Sequence, residues 1–316
     1  MRRGLLLATL FVALVGAQSA RPSRVIDSAA LLRDLQVLSA DDMQGRQLDT
    51  PGGAKAREYV IGRLKAAGVR PFGESYEAPF SFMAGRGDLA APRRGVNVVA
   101  HVEGTRQPSR YLVVSAHYDH IGVRGGQVFN GADDNASGTA ALIALAKYFQ
   151  DHRPEHSIIF AAFDGEEAGM RGSRAFVTTP PVDRAAIVLN VNLDMIGRDP
   201  EDKLYAAGTF LNPFLKPYLE KVAASAPIKL LLGHDDPNQK TVEDWTRDSD
   251  HWSFLQAEIP AVYLGVEDFG QHHKATDDYE TMTFNFFVGA VETSIAVVKE
   301  FDANLGAIAG QKSRGN

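Results

Sequence analysis

Five stretches of this chain gather acids and imidazoles: His117-Tyr118-Asp119-His120, Asp133-Asp134 inside GADDNASG, Asp164-Gly165-Glu166-Glu167, Asp194, and Gln271-His272-His273 followed by Asp277 and Asp278. Each has an ordinary explanation when taken alone. An Asp ahead of a helix caps it, a Glu pair faces solvent, and a lone His is more often structural than a ligand. Brought to one place, however, three or more carboxylates repel one another, and desolvating them beside apolar strands is costly unless cations compensate. A metal centre removes that conflict. The candidate ligands are His117, an aspartate of the Asp133-Asp134 pair, Glu167, Asp194, and one of His272 or His273. Three carboxylates and two neutral imidazoles suit a pair of divalent cations, which bring about four positive charges. Imidazole and carboxylate together favour Zn²⁺, with Co²⁺ or Mn²⁺ as substitutes, whereas Mg²⁺ or Ca²⁺ would favour all-oxygen ligands. Cysteine is absent, which excludes disulfide frameworks, thiolate zinc sites and Cys nucleophiles.

Glu166 is left over beside Glu167. Adjacent side chains on an extended or turning segment point apart, so one can bind metal while its neighbour faces a water, where a general base belongs. Asp119 lies two residues beyond His117 and is expected to accept the other imidazole N–H, fixing the tautomer. For His120, Asp250 and His251, a supporting role and a purely structural one stay equally open. No serine sits in a Gly-x-Ser-x-Gly elbow, so no alternative nucleophile is offered.

The elements that must position these groups follow from the apolar pattern. Runs rich in β-branched residues at 96–102, 111–115, 158–163 and 187–193 alternate with helical stretches, notably 136–149, which is the rhythm of a largely parallel sheet. Such open α/β sheets bind ligands outside the carboxyl ends of their strands, and the acidic and His clusters follow the strands there. A late strand at 261–264 precedes the His pair. Helices are expected from Ser28 (Leu31, Leu32, Leu35, Leu38), over Ala56 to Ala67 with Gly68 as the stop, at 213–224, and at the end of the chain through Val288, Val291, Ile295 and Val298. Residues 75–95 read as a strand and then a loop, residues 232–250 as a long loop of functional character, and the tail after Leu305 as frayed.

The 33 Lys and Arg against 39 Asp and Glu give a net charge of -6, which argues against a general nucleic-acid binder. With 45% hydrophobic and 23% charged residues the chain reads as globular. Arg2 and Arg3, the apolar run 4–16 and the small residues Val15-Gly16-Ala17 predict a signal peptide over 1–17, cleaved after Ala17. That run is short of the ~20 residues needed to span a bilayer. The expectation is an exported protein, periplasmic or secreted, with a single domain over 18–316 and no stable membrane span.

HYDH at His117, GADDNASG at Gly131, FDGEEAGMRGS from Phe163, NLDMIGR from Asn192, SDH at Ser249 and HxxxD from His273 resemble, in order, the aminopeptidase Y family of co-catalytic dizinc peptidases, which includes bacterial leucyl aminopeptidases. The resemblance implies a single three-layer αβα domain with a mixed, largely parallel central sheet, the zinc-exopeptidase (phosphorylase/hydrolase-like) architecture. It implies two Zn²⁺ ions: His117 and Asp194 on one, Glu167 and His273 on the other, Asp134 bridging, and Glu166 as general base. Choosing Asp134 over Asp133 and His273 over His272 rests on the resemblance. The chain departs from it at His273-Lys274-Ala275, where the family usually shows His-Thr-Pro. The implied activity is removal of N-terminal residues from peptides with a free N-terminus. Glutaminyl cyclases share the fold but typically use one zinc for acyl transfer, and a carboxypeptidase or dipeptidase is the alternative within the family, since pocket walls set end preference. Tyr263 and residues of the 232–250 loop are candidates for the donor that stabilises the oxyanion.

Overall fold

Asp27 opens the first helix by accepting the Ala30 N–H at 2.9 Å, and Leu31, Leu35 and Leu38 then fall on one buried face of α1 (Ser28–Leu38). Thr50 caps α2 (Pro51–Ala66) in the same way, and Gly68, at φ +77°, takes the left-handed turn that ends it. The chain continues through β1 (Arg70–Pro71), β2 (Glu77–Ala84), β3 (Ala91–Val102) and β4 (Gln107–His117). A two-stranded flap, β5 (Val123–Arg124) with β6 (Gln127–Val128), precedes α3 (Gly138–Asp151). There follow β7 (His156–Phe163), α4 (Arg171–Thr178), β8 (Ile187–Leu193), β9 (Lys203–Ala207), α5 (Lys216–Ala223), β10 (Lys229–Leu232), α6 (His251–Gln256), β11 (Ala261–Gly265) and α7 (Phe284–Lys312). These elements belong to a computed structural model that describes residues 20–85 and 90–312; the expected leader at 1–17 lies outside the described residues. Among the described residues no helix is long and apolar enough to cross a membrane.

The main sheet runs β1-β3-β7-β4-β8-β11-β9-β10, with β2 added on β3. Its centre is parallel, β7 with β4, β4 with β8 and β8 with β11, while β3 on β7 and β9 on β11 are antiparallel. Every residue of β7 and β8 is buried, so both faces of the sheet need a covering layer. On β4, Leu112 and Val114 face one layer, packing with Leu35, Val60, Leu142, Leu219 and Val291 from α1, α2, α3, α5 and α7. Val113 faces the opposite layer, with Phe176 of α4 and Phe254 of α6. This is the expected αβα sandwich with a mixed sheet, its parallel strands ending together at one edge.

Two expectations are corrected. Residues 91–95 are strand rather than loop, because β2 pairs antiparallel with β3 from Ala84 opposite Ala91 to Glu77 opposite Val98 and takes up their backbone groups. The chain after Leu305 does not fray before Lys312: α7 runs on, and Leu305 and Ile308 are buried in the core. Strands β9 and β10 and helices α4 and α6 go beyond the sequence reading; they are short, four to eight residues each, which leaves little periodicity to detect.

Candidate metal centre

The five residues proposed as ligands converge at the carboxyl edge of the parallel strands. His117 is the last residue of β4, Asp194 follows β8, Glu167 lies in the turn after β7, Asp134 at a non-helical kink in the segment leading into α3, and His273 in the loop after β11. His117 Nε2 lies 3.3 Å from Asp194 Oδ1 and 3.4 Å from Asp134 Oδ1. The other oxygen of Asp134, Oδ2, lies 3.4 Å from His273 Nε2, which is also 3.0 Å from Glu167 Oε2. Asp134 thus presents one oxygen to each of two adjacent groups of donors. His272 reaches Asp134 Oδ2 at 3.5 Å, but only His273 is paired with Glu167 as well. Asp133 points elsewhere: its Oδ1 accepts the Gly197 N–H at 2.8 Å, and burial, reinforced by Asp277, pushes its carboxyl up to about 8.

Several buried groups hold this arrangement. Asp277 accepts the backbone N–H groups of Asp133 and Asp134 at 3.0–3.1 Å and pairs with Arg198 of the NLDMIGR stretch. The Lys274-Ala275 departure therefore leaves the acidic residue behind it engaged, and the loop still delivers His273. Asp194 Oδ2 accepts a 2.6 Å hydrogen bond from Ser249 Oγ, which accepts one from Asn192 Nδ2; Asn192 Oδ1 accepts from Ser115 Oγ, and Ser115 Oγ from Asn190 Nδ2. A ladder of side chains across the sheet centre fixes the Asp194 rotamer. Ser249 is thus the member of SDH that touches the site, and its position beside Asp250 is the signal that would have found it. The 233–250 loop also seats Trp245 against Tyr263 of β11, ring centroids 5.7 Å apart and edge-on, and against His234, stacked at 3.6 Å. Tyr263 keeps its proton: burial, with Asp194 and Asp134 next, holds the phenol well above its ordinary range.

Asp119 lies beside the His117 ring and meets it through two groups. His117 Nδ1 lies 3.1 Å from the main-chain carbonyl of Asp119 and 3.7 Å from its carboxylate, so the carbonyl is the nearer acceptor. The carboxylate instead accepts the Glu166 N–H at 3.0 Å and ties the Glu166-Glu167 turn to the end of β4. Burial pushes the Glu166 carboxyl well above the usual carboxylate range; His117 opposes the rise, while Asp250, Asp194 and Asp119 add to it.

Arg46, outside every motif, is fully buried behind the centre. Its guanidinium donates to the carbonyls of Tyr118, Leu38, Asn130 and Gly131, joining α1 to the two loops that carry His117 and Asp134. Burial lowers it to about 10, against the pull of Asp134, Asp277, Asp119 and Glu167. Arg46→Met keeps the apolar stem but takes the guanidinium from the carbonyls of residues 38, 118 and 130, while Gly131 keeps the Ala136 N–H, and a buried acceptor left unmade costs about 1–3 kcal/mol. We expect a loss of at least about 3 kcal/mol in urea unfolding; a loss below about 1 kcal/mol would show that the carbonyls find other partners.

Fold and site together define an α/β domain with an imidazole–carboxylate centre at the carboxyl edge of its parallel strands, the arrangement of a metallohydrolase. The chain belongs to peptidase family M28, whose sequence model matches residues 97–298. It is 28% identical over 244 residues to a probable zinc metalloprotease of Pyrenophora teres f. teres, covering 69% of this chain and 50% of that protein. The chain spans about half the length of the curated relatives it matches. Among solved structures it is similar to the zinc aminopeptidase BSAP from Bacillus subtilis, with TM-score 0.70 and 15% identity over 89% of this chain and 96% of that one. It is also similar in fold to the glutaminyl cyclase of Fimbriiglobus ruber, with TM-score 0.67 and 21% identity over 89% and 99%. The donor set fits zinc: imidazole nitrogens and carboxylate oxygens face common points, and Glu167 Oε1 is buried with no hydrogen-bond partner among the described residues.

Proposed function

We propose that this chain is a zinc-dependent aminopeptidase of the aminopeptidase Y type, exported after loss of residues 1–17 and acting on peptides with a free N-terminus. The observation that carries the reading is Asp134, whose two oxygens face His117 with Asp194 on one side and His273 with Glu167 on the other. In this reading His117 and Asp194 hold one Zn²⁺, Glu167 and His273 a second, and Asp134 bridges them. Bound zinc supplies Lewis acidity, which acidifies water and polarises a carbonyl. Glu166 takes the proton of the attacking water and returns it to the leaving amine. Tyr263, kept protonated by burial, is the candidate donor to the oxygen on which negative charge develops.

The test uses the chain from residue 18, a panel of amino-acid p-nitroanilides, and the same compounds with blocked amines. Cleavage of the free-amine series alone is expected, lost with chelator and restored by Zn²⁺. Equal cleavage of the blocked series would overturn the exopeptidase assignment. Release of ammonia from Gln-initial peptides, without p-nitroaniline, would make the chain a cyclase instead, and a requirement for a free C-terminus in ordinary peptides would make it a carboxypeptidase or dipeptidase.

A further inference from the structure

His120 ends the first chemical motif, and its ring is buried, 1% exposed. Among the described residues neither of its nitrogens has a hydrogen-bond partner, an expensive arrangement for a buried imidazole. Its Nδ1 lies 2.7 Å from Glu167 Oε1 and 3.6 Å from Asp134 Oδ2. The approach to Glu167 is within hydrogen-bond distance, but its alignment leaves both atoms without one. Two acceptors this close and misaligned for sharing a proton converge on a third point rather than on each other. Nor is the ring free to swing away. Gly131, at φ +55°, lies so near that a Cβ there would sit 2.5 Å from the His120 ring. Nδ1, Asp134 and Glu167 offer donor atoms that all lie within 4.8 Å of one another.

We propose that His120 is itself a metal ligand, binding through Nδ1 the same cation as Glu167, His273 and Asp134. The inference rests on the reading that the cluster holds zinc. It makes the two halves unequal in donor count: His120, Asp134, Glu167 and His273 would give one ion four protein donors, whereas His117, Asp134 and Asp194 would give the other three and leave a position open. A neutral imidazole adds a donor without adding charge. The half containing His120 therefore binds more tightly and fills first, and the other half keeps the position that substrate or water uses.

Zinc titration of the metal-free chain against a chromophoric chelator, with ¹⁵N-histidine NMR at one equivalent, tests this. Two binding steps are expected, and at one equivalent two coordinated imidazoles, one through the Nδ1 of His120. His120→Ala and His120→Gln should weaken the tighter step by about 100-fold or more, at the upper end of what loss of a mere hydrogen-bonding partner of a ligand produces. The NMR spectrum separates the two roles without any variant: a protonated Nδ1 on His120 in the one-zinc protein overturns the proposal. So does tighter-step binding that stays within about twofold in both variants. If the wild-type chain binds no zinc at all, the reading of the cluster as a zinc site fails with it, whereas two-step binding with only His273 coordinated at one equivalent removes His120 alone.

Discussion

Glu166→Gln should retain both metal ions and the fold while turnover falls by about 10²–10⁴-fold, the range a positioned general base supplies. Gln has the shape of Glu but cannot take a proton. The turn that places it is held through its main chain, by the 3.0 Å hydrogen bond from the Glu166 N–H to Asp119, so the substitution leaves that anchor intact. Stability supports the separation. Burial raises the Glu166 carboxyl in the folded metal-free chain, so its contribution is fully present below the unfolded pKa and is lost as pH rises through the folded one. Gln is neutral at every pH and escapes that loss, so the melting temperature of the metal-free variant should match or exceed that of the wild type. The measurements are kcat at saturating substrate, zinc content and melting temperature. Turnover within about threefold of wild type, with zinc content intact, would assign the base elsewhere.

The parts of the fold that the sequence announced are those whose burial is total. Strands β7 and β8 are buried at every position and read as unbroken apolar runs, and the chemistry follows them because that edge of the sheet is where loops gather. The carboxylate and imidazole clusters were legible for the same reason: so many acids beside apolar strands have few physical explanations. What stayed hidden depends on contacts between distant segments. Arg46 stands in DDMQGR, a polar stretch outside every motif, yet its guanidinium meets carbonyls from residues 38, 118, 130 and 131. Asp119 was assigned to His117 on spacing alone, but the turn carrying Glu166 comes close enough to claim its carboxylate, while the nearer carbonyl serves His117. His120 was ambiguous and Ser249 was not singled out within SDH, since only the crossing of loops shows which neighbour each one faces.

Asp134→Ala should have the largest effect on metal content. Burial alone would raise the carboxyl of Asp134, but in the metal-free chain His120, His117 and His273 outweigh it and hold it well below the ordinary range. Its Oδ1 serves the half with His117 and Asp194, and its Oδ2 the half with His273, Glu167 and His120. Alanine takes one donor from each half and one negative charge from between them, leaving imidazoles that no longer have a shared anion. Both zinc affinities should fall, each by about 100-fold or more, and peptidase activity should vanish at zinc concentrations that saturate the wild type. Asp134→Asn separates charge from shape: it keeps one oxygen donor, so it should spare one half more than the other while weakening both. The contrast with Glu166→Gln is the informative one, because that variant loses turnover with its metals in place. If Asp134→Ala loses a single ion and binds the other with wild-type affinity, Asp134 belongs to one half only, and the bridge on which the dizinc reading stands is gone.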